Sequence, residues 1–175
     1  ADVKDEEGHT VVAAIKAAGN DAIFRTADIS ERLDVFNLVA AARDAFGRVD
    51  VLVNNASVFD NQPFLELEEA EFDRVMRTNV KGAFMISQAV AKQMIRQCTA
   101  DSKCAPGSII NITSVASRVP GDGPYRNFAG GVLPGYGGSK AALEHLTWCA
   151  AYDLQRRNIA VNALAPSRPI PTPGL

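Results

Sequence analysis

Two side chains suited to proton chemistry, Tyr136 and Lys140, stand four residues apart in the stretch PGYGGSKAALEHL, residues 134–146. If that stretch is helical, both project from one face. A phenol with an ordinary pKa of about 10 is a poor base at neutral pH. An ammonium about 4 Å away, at an effective dielectric near 20, favours phenolate by roughly 4 kcal/mol. That corresponds to about three pKa units before desolvation subtracts its share. The phenol would then titrate close to working pH, where a general acid–base is most effective. The same spacing arises by chance on solvated helices, so other residues have to support it. Neither Tyr125 nor Tyr152 has a lysine four residues on.

Ser114 closes the apolar run GSIINITS, residues 107–114. Its hydroxyl is placed to orient a substrate oxygen beside the phenol; the plainer alternative is a turn serine satisfying local backbone. Asn79 shares a helical stripe with Phe72, Val75, Met76 and Val80, a face expected to be buried. A buried amide left unpaired costs roughly 1–3 kcal/mol. Asn79 therefore either ties its helix to a strand carbonyl or holds a water in a proton path. Asp2 and Asp28 fall where acids at strand ends would meet a nucleotide. An acid that binds a ribose hydroxyl lies about 20 residues past a glycine-rich turn, and for Asp2 that turn would precede residue 1. The alternative for Asp2 is a solvated acid in the helix start DVKDEE.

These residues need elements to hold them. Val11, Val12, Ala14, Ile15 and Ala18 recur at helical spacing over residues 6–18, with Gly19 as a stop. DAIFRTADIS reads as a short strand ending near Asp28. Ser30 is the expected N-cap of a helix to Phe46, with Leu33, Phe36, Val39 and Ala40 facing inward. RVDVLVNNAS is the next strand. A helical stretch over about 68–97, broken near Lys81-Gly82, leads to the strand GSIINITS. The helix carrying Tyr136 and Lys140 runs to about Arg157, before the last strand, IAVNALAP. Strands alternating with helices indicate a parallel sheet with helices on its faces, a doubly wound α/β fold. Ligands in such sheets bind beyond the carboxyl ends of the strands. That rule singles out Asp28, Asn54-Asn55-Ala56, Thr113-Ser114 and Pro166-Ser167. The glycine- and proline-rich segment SRVPGDGPYRNFAGGVLPG is a long loop, and loops of that length are more often functional than neutral.

The totals exclude several classes. The chain has 175 residues, 47% hydrophobic and 22% charged, as in an ordinary soluble domain. A net charge of −2 gives no reason to expect nucleic acid or an anionic membrane as partner. No apolar run approaches the roughly 18 residues of a membrane span. Cys98, Cys104 and Cys149 are odd in number and lack metal-ligand spacing, so no metal is expected, and reduced thiols in a cytoplasmic protein are the simplest reading. The chain opens on what resembles a strand turning into a helix and closes in a proline-rich loop. It reads as one domain over residues 1–175, interrupted at both ends. A glycine-rich turn is expected before residue 1, and a substrate loop and last strand after residue 175.

VLVNNAS, RTNVKGAF, GSIINITS, YGGSK and IAVNALAPS, in this order and spacing, resemble the short-chain dehydrogenase/reductase family over nearly the whole chain. The resemblance implies a Rossmann-type, three-layer α/β/α fold and an NAD(P)-dependent oxidoreductase that interconverts a secondary alcohol and a ketone. It implies that Tyr136 is the acid–base, that Lys140 lowers its pKa and binds the nicotinamide ribose, that Ser114 positions the substrate oxygen, and that Asn79 holds a water linking Lys140 to solvent. Asn54, Asn55, Ala56 and Ser57 would line the cofactor. Asp28 and Ile29 would sit at the adenine ring, and Pro166 at the nicotinamide amide. Asp2 at a strand end favours NAD by accepting from the ribose 2′-OH and repelling a 2′-phosphate, with NADP left open. The family also implies a homodimer or homotetramer built on the helices near 83–97 and 138–156, whose outer faces carry Met94, Ile95, Leu146 and Trp148.

Three positions depart from the family. Ser57 stands where glycine is usual in N-N-A-G, and Ser167 where a proline–glycine pair is usual. The spacing from Ser114 to Tyr136 is longer than in compact members; the extra segment holds Tyr125, Asn127 and Phe128, readable as substrate lining or as a surface insertion. The substrate is a small alcohol or carbonyl compound of unspecified identity. A cofactor-binding regulator without catalysis and a truncated inactive product are the competing readings.

Overall fold

The structure is a computed structural model that describes residues 1–60, 62–100, 105–118 and 133–166. Helix α1 (Asp5–Ala17) opens with Asp5, Glu6 and Glu7, acids that suit the positive end of a helix. Helix α2 (Arg32–Phe46) ends at Gly47, whose left-handed backbone (φ 78°) suits a residue without Cβ. Strand β1 (Val51–Asn54) leads to α3 (Glu69–Met76), a π-helical turn (Arg77–Gly82) and α4 (Ala83–Ala100). Strand β2 (Gly107–Ile112) is followed by a 3₁₀ turn (Val115–Ser117), then α5 (Pro134–Leu154), a second 3₁₀ turn (Gln155–Arg157) and β3 (Ile159–Leu164).

The three strands form a parallel sheet in the order β1-β2-β3, the expected class of fold. Leu52, Ile109 and Val161 stand in register and point to one face. There they join Val35 of α2 and Met85, Ile86, Val90, Ala91 and Met94 of α4 in the main core. On the other face Val51 and Val53 remain 57% and 52% exposed.

Several local expectations are corrected. Residues 21–28 form no strand; their pairing is a parallel bridge between Asp2 and Thr26, closed by the Ala27 N–H on the Asp2 carbonyl at 3.0 Å. One bridge is too short to propagate a ladder. The N-cap of α2 is Glu31, not Ser30, and makes no side-chain cap. Val39 packs on the core as expected, but Leu33 and Phe36 are 69% and 54% exposed, because α2 turns Val35 and Leu38 onto α4 in their place. Met94 and Ile95 belong to the core, whereas Trp148 is exposed. Cys149 is a free, exposed thiol, but Cys98 is disulfide-bonded, which an odd cysteine count did not exclude. Among the described residues no helix is long and apolar enough to cross a membrane, and no cluster of metal-ligating side chains occurs.

Candidate active site

Helix α5 starts with Pro134 in its first turn, where the missing N–H costs no hydrogen bond. Tyr136, Ser139, Lys140, Leu143, Glu144 and Thr147 form its buried face. That spacing lays Tyr136 and Lys140 one above the other against the carboxyl end of β2. The Lys140 ammonium donates to the Ile112 carbonyl at 2.9 Å and lies 5.4 Å from the centroid of the Tyr136 ring. The Ser114 hydroxyl is near enough to the Tyr136 phenol to lower its pKa. It also accepts from the Ala116 N–H at 3.2 Å, capping the 3₁₀ turn. Ser114 is thus a turn serine and a neighbour of the phenol at once.

The electrostatics differ from those the spacing predicts. Burial pushes the Tyr136 phenol above its ordinary value, and the nearby Ser114 hydroxyl offsets only part of that rise. The ammonium is not among the causes, since it is engaged by a carbonyl rather than by the phenol oxygen. Lys140 itself, 2% exposed, is pushed down to about 8 by desolvation.

Asn79 is 1% exposed and sits within the π-helical turn, a feature frequent at functional sites. Its side chain clasps the peptide of Val58, accepting from the N–H at 2.8 Å and donating to the carbonyl at 2.8 Å. It also donates to Ser139 at 3.0 Å, and Ser139 donates to the Tyr136 carbonyl at 2.7 Å. With both amide hydrogens used, Asn79 ties the loop after β1 to α5, on a loop carbonyl rather than the strand carbonyl expected.

Sequence reasoning missed four partners. The Asp60 carboxylate, fully buried, accepts from the N–H groups of Gly135 and Tyr136. The Phe59 ring stacks on Tyr136 with centroids 4.4 Å apart. Glu144, one turn beyond Lys140, accepts from the Ser117 hydroxyl at 2.8 Å and pairs with Arg118 at 3.4 Å. Asn111 accepts from Asn54 at 2.7 Å and donates to Thr147 at 2.8 Å, and Asn54 donates onward to Ser87. Only Asn111 carried a signal, as an amide inside an apolar strand.

The other expected positions lie at the same sheet edge or beside it. Asn55 and Ala56 are exposed beyond β1, Ser57 is half-buried, and Pro166 is half-buried beyond β3. Asp28 accepts from the Ser30 N–H at 2.8 Å, and Ile29 packs against the core. Asp2 is exposed and accepts from the Lys4 N–H at 3.0 Å. The bridge to Thr26 brings Asp2 near the Asp28 segment, away from Tyr136. Tyr125, Asn127, Phe128 and Ser167 lie outside the described residues. An open groove of about 980 Å³, lined by Asp28, Arg77, Lys81, Phe84 and Leu146, contains none of Ser114, Tyr136 and Lys140.

The Ser57 and Thr113 hydroxyls, beyond β1 and β2, are buried without a hydrogen-bond partner.

A family model described as short chain dehydrogenase matches residues 1–172. The chain is 36% identical over 161 residues to a 2-dehydro-3-deoxy-D-gluconate 5-dehydrogenase of Dickeya dadantii, covering 91% of this chain and 57% of that one. It is 34% identical to the 3-oxoacyl-[acyl-carrier-protein] reductase FabG of Staphylococcus epidermidis, over 92% of this chain and 59% of the relative. Among solved structures, NAD+-bound xylitol dehydrogenase superposes with a TM-score of 0.80 at 32% identity, over 94% of this chain and 57% of that chain. A short-chain type dehydrogenase/reductase from Mycobacterium marinum gives 0.82 at 27% identity, over 93% and 59%. The chain therefore spans less than two thirds of the length of these relatives.

Proposed function

Because this chain belongs to the short chain dehydrogenase family, we propose that its protein is an NAD(P)-dependent oxidoreductase interconverting a secondary alcohol and a ketone. The observation that carries this reading is the buried Lys140 ammonium, held on the Ile112 carbonyl and 5.4 Å from the Tyr136 ring, at the carboxyl end of β2 near Ser114. In reduction, the substrate carbonyl oxygen takes the place between the Ser114 hydroxyl and the phenol. Tyr136 donates its proton to that oxygen as the hydride reaches carbon; in oxidation the phenolate takes the proton back. The bound nicotinamide supplies or accepts the hydride. Burial keeps the free phenol protonated, which suits the acid role. Lys140 serves the base role once its ammonium leaves the Ile112 carbonyl for the phenol and the ribose hydroxyls. Asn79 aligns the loop after β1 with α5, and a water beside it would link Lys140 to solvent.

Cofactor contacts are assigned to Asp2, Asp28, Ile29, Asn55, Ala56, Ser57 and Pro166, with Tyr125 and Phe128 as substrate lining. NAD is favoured over NADP. The exposed Asp2 carboxylate is free to accept a ribose hydroxyl, while Lys4 is drawn to Glu7 at 3.1 Å. The relatives' names place sugar acids and 3-oxoacyl thioesters among the substrates to try first. Exposed Phe84, Trp148 and Tyr152 on α4 and α5 support a homodimer or homotetramer, and the cytoplasm is the proposed location.

The test is turnover and cofactor binding by the protein at its natural full length, with NAD and NADP against a panel of secondary alcohols and ketones, beside Tyr136→Phe. The expected loss is about 10²- to 10⁴-fold in kcat with cofactor binding retained. Tight cofactor binding with no turnover, indifferent to the substitution, refutes the reading and leaves a dinucleotide-binding regulator.

A further inference from the structure

Asp60 is fully buried, and both of its carboxylate oxygens are engaged by the first turn of α5. One accepts from the Gly135 N–H at 3.0 Å and the other from the Tyr136 N–H at 2.8 Å. The helix's own N-cap residue, Leu133, offers no side-chain cap, so these donors would otherwise be orphaned. A carboxylate is also the favoured charge at a helix N-terminus.

The cap is unusual in its origin. It comes from the loop after β1, more than seventy residues away in sequence, rather than from the segment leading into the helix. The same loop is also anchored at the two residues before Asp60. Val58 is clasped by Asn79, the Phe59 carbonyl accepts from Arg74 at 2.7 Å, and the Phe59 ring stacks on the Tyr136 phenol. Arg74 is in turn held by Glu71 at 2.6 Å, and it supplies the cation that feels the buried Asp60.

We propose that Asp60 is a positioning residue for Tyr136: through the two backbone N–H groups it locks the first turn of α5 to the β1 loop, so that the phenol meets Ser114 at a fixed depth. This rests on the reading of Tyr136 as the acid–base. The cap holds the Tyr136 backbone and the Phe59 stack holds its ring, so one loop registers both ends of the side chain. Without the carboxylate, two donors lose their acceptors and the first turn frays. The cofactor contacts assigned to Asp2, Asp28, Ile29 and Pro166 lie on other segments, and Asn55–Ser57 stay held next to Val58 by Asn79.

The experiment compares wild type, Asp60→Ala and Asp60→Asn in the full-length protein, each normalised to its cofactor-binding sites. Asp60→Ala is expected to lower kcat by about 10- to 100-fold, the scale of a misplaced catalytic group. The cofactor Kd should hold within about twofold, as expected when the lost interaction serves the reacting centre alone. Asparagine keeps one acceptor oxygen but turns its NH2 toward the second N–H, so its loss should be intermediate. Hydrogen exchange should show faster Gly135 and Tyr136 amides, with protection from Leu143 onward unchanged. Wild-type kcat in Asp60→Ala, or unchanged exchange at Gly135 and Tyr136, overturns the proposal. So does a loss of kcat, cofactor sites and exchange protection together along all of α5, which marks a purely structural residue. A wild-type protein with no turnover refutes the dehydrogenase reading, and any catalytic service by Asp60 falls with it even where exchange reports the cap.

Discussion

Replacing Lys140 by methionine isolates the cost of burying an ammonium at this site. In the folded chain its pKa falls from 10.5 to about 8, with desolvation as the cause. At roughly 1.4 kcal/mol per pKa unit, the full effect is about 3 kcal/mol. The sign follows from proton counting. Between the two values the unfolded chain holds a proton that the folded chain has released, so stability rises with pH there. Below pH 8 the folded lysine is charged and the whole penalty is present; above 10.5 it is gone. About 2 kcal/mol of the recovery falls between pH 8 and 9.5, a window in which the phenol stays protonated because its own pKa is raised. Methionine fills the space without a charge and lacks this pH dependence. It also strands the Ile112 carbonyl, a roughly constant cost of about 1–3 kcal/mol. The assay is urea unfolding of cofactor-free wild type and Lys140→Met at steps from pH 7 to 9.5. With a slope of about 2 kcal/mol/M, the midpoint difference should move by about 1 M in favour of wild type as the pH rises. A difference that stays flat across the window refutes the claim that Lys140 is desolvated. A change of the opposite sign would mean that the ammonium is stabilised by a charge partner.

Two further substitutions probe the frame around the site. Asn79→Ala removes three hydrogen bonds and strands the N–H and carbonyl of half-buried Val58. It should cost about 2–4 kcal/mol in chemical denaturation and raise exchange in residues 55–60 before the rest of the fold. Gly137→Ala would put a Cβ 2.8 Å from the Ala116 carbonyl oxygen, a backbone atom that cannot turn aside. The expected result is about 1–3 kcal/mol of lost stability, read as a lowered Tm, with weakened contact between α5 and the turn carrying Ser114.

The helices and strands with a single apolar period were legible in the sequence. Strands β1, β2 and β3 are short β-branched runs bounded by polar residues, and their alternation with helices leads directly to a parallel sheet. The break expected near Lys81-Gly82 is the end of the π-helical turn. Helix α2 was less legible because it carries two overlapping stripes. Leu33 and Phe36 extend one, Val35 and Leu38 the other, with Val39 common to both, and only the position of α4 selects between them. Residues 21–28 have strand-like composition, yet a strand is defined by its neighbours, and the described one is a bridge to Asp2.

At the site, local spacing was enough for Tyr136 and Lys140, because i and i+4 share a helical face whatever surrounds them. It also sufficed to mark Asn79 as a buried amide in need of partners. What that amide bonds to, which carbonyl holds the Lys140 ammonium, and the direction in which burial moves the phenol depend on segments distant in sequence. Asp60 is the plainest case. Nothing in VFDNQP marks a helix cap, because the N–H groups it serves belong to residues 135 and 136. A sequence determines which groups must be paired and which faces must be buried, since those demands are local to each residue. Which partner answers each demand is decided by the tertiary fold, because hydrogen bonds and desolvation act across space over a few ångströms, without regard to distance along the chain.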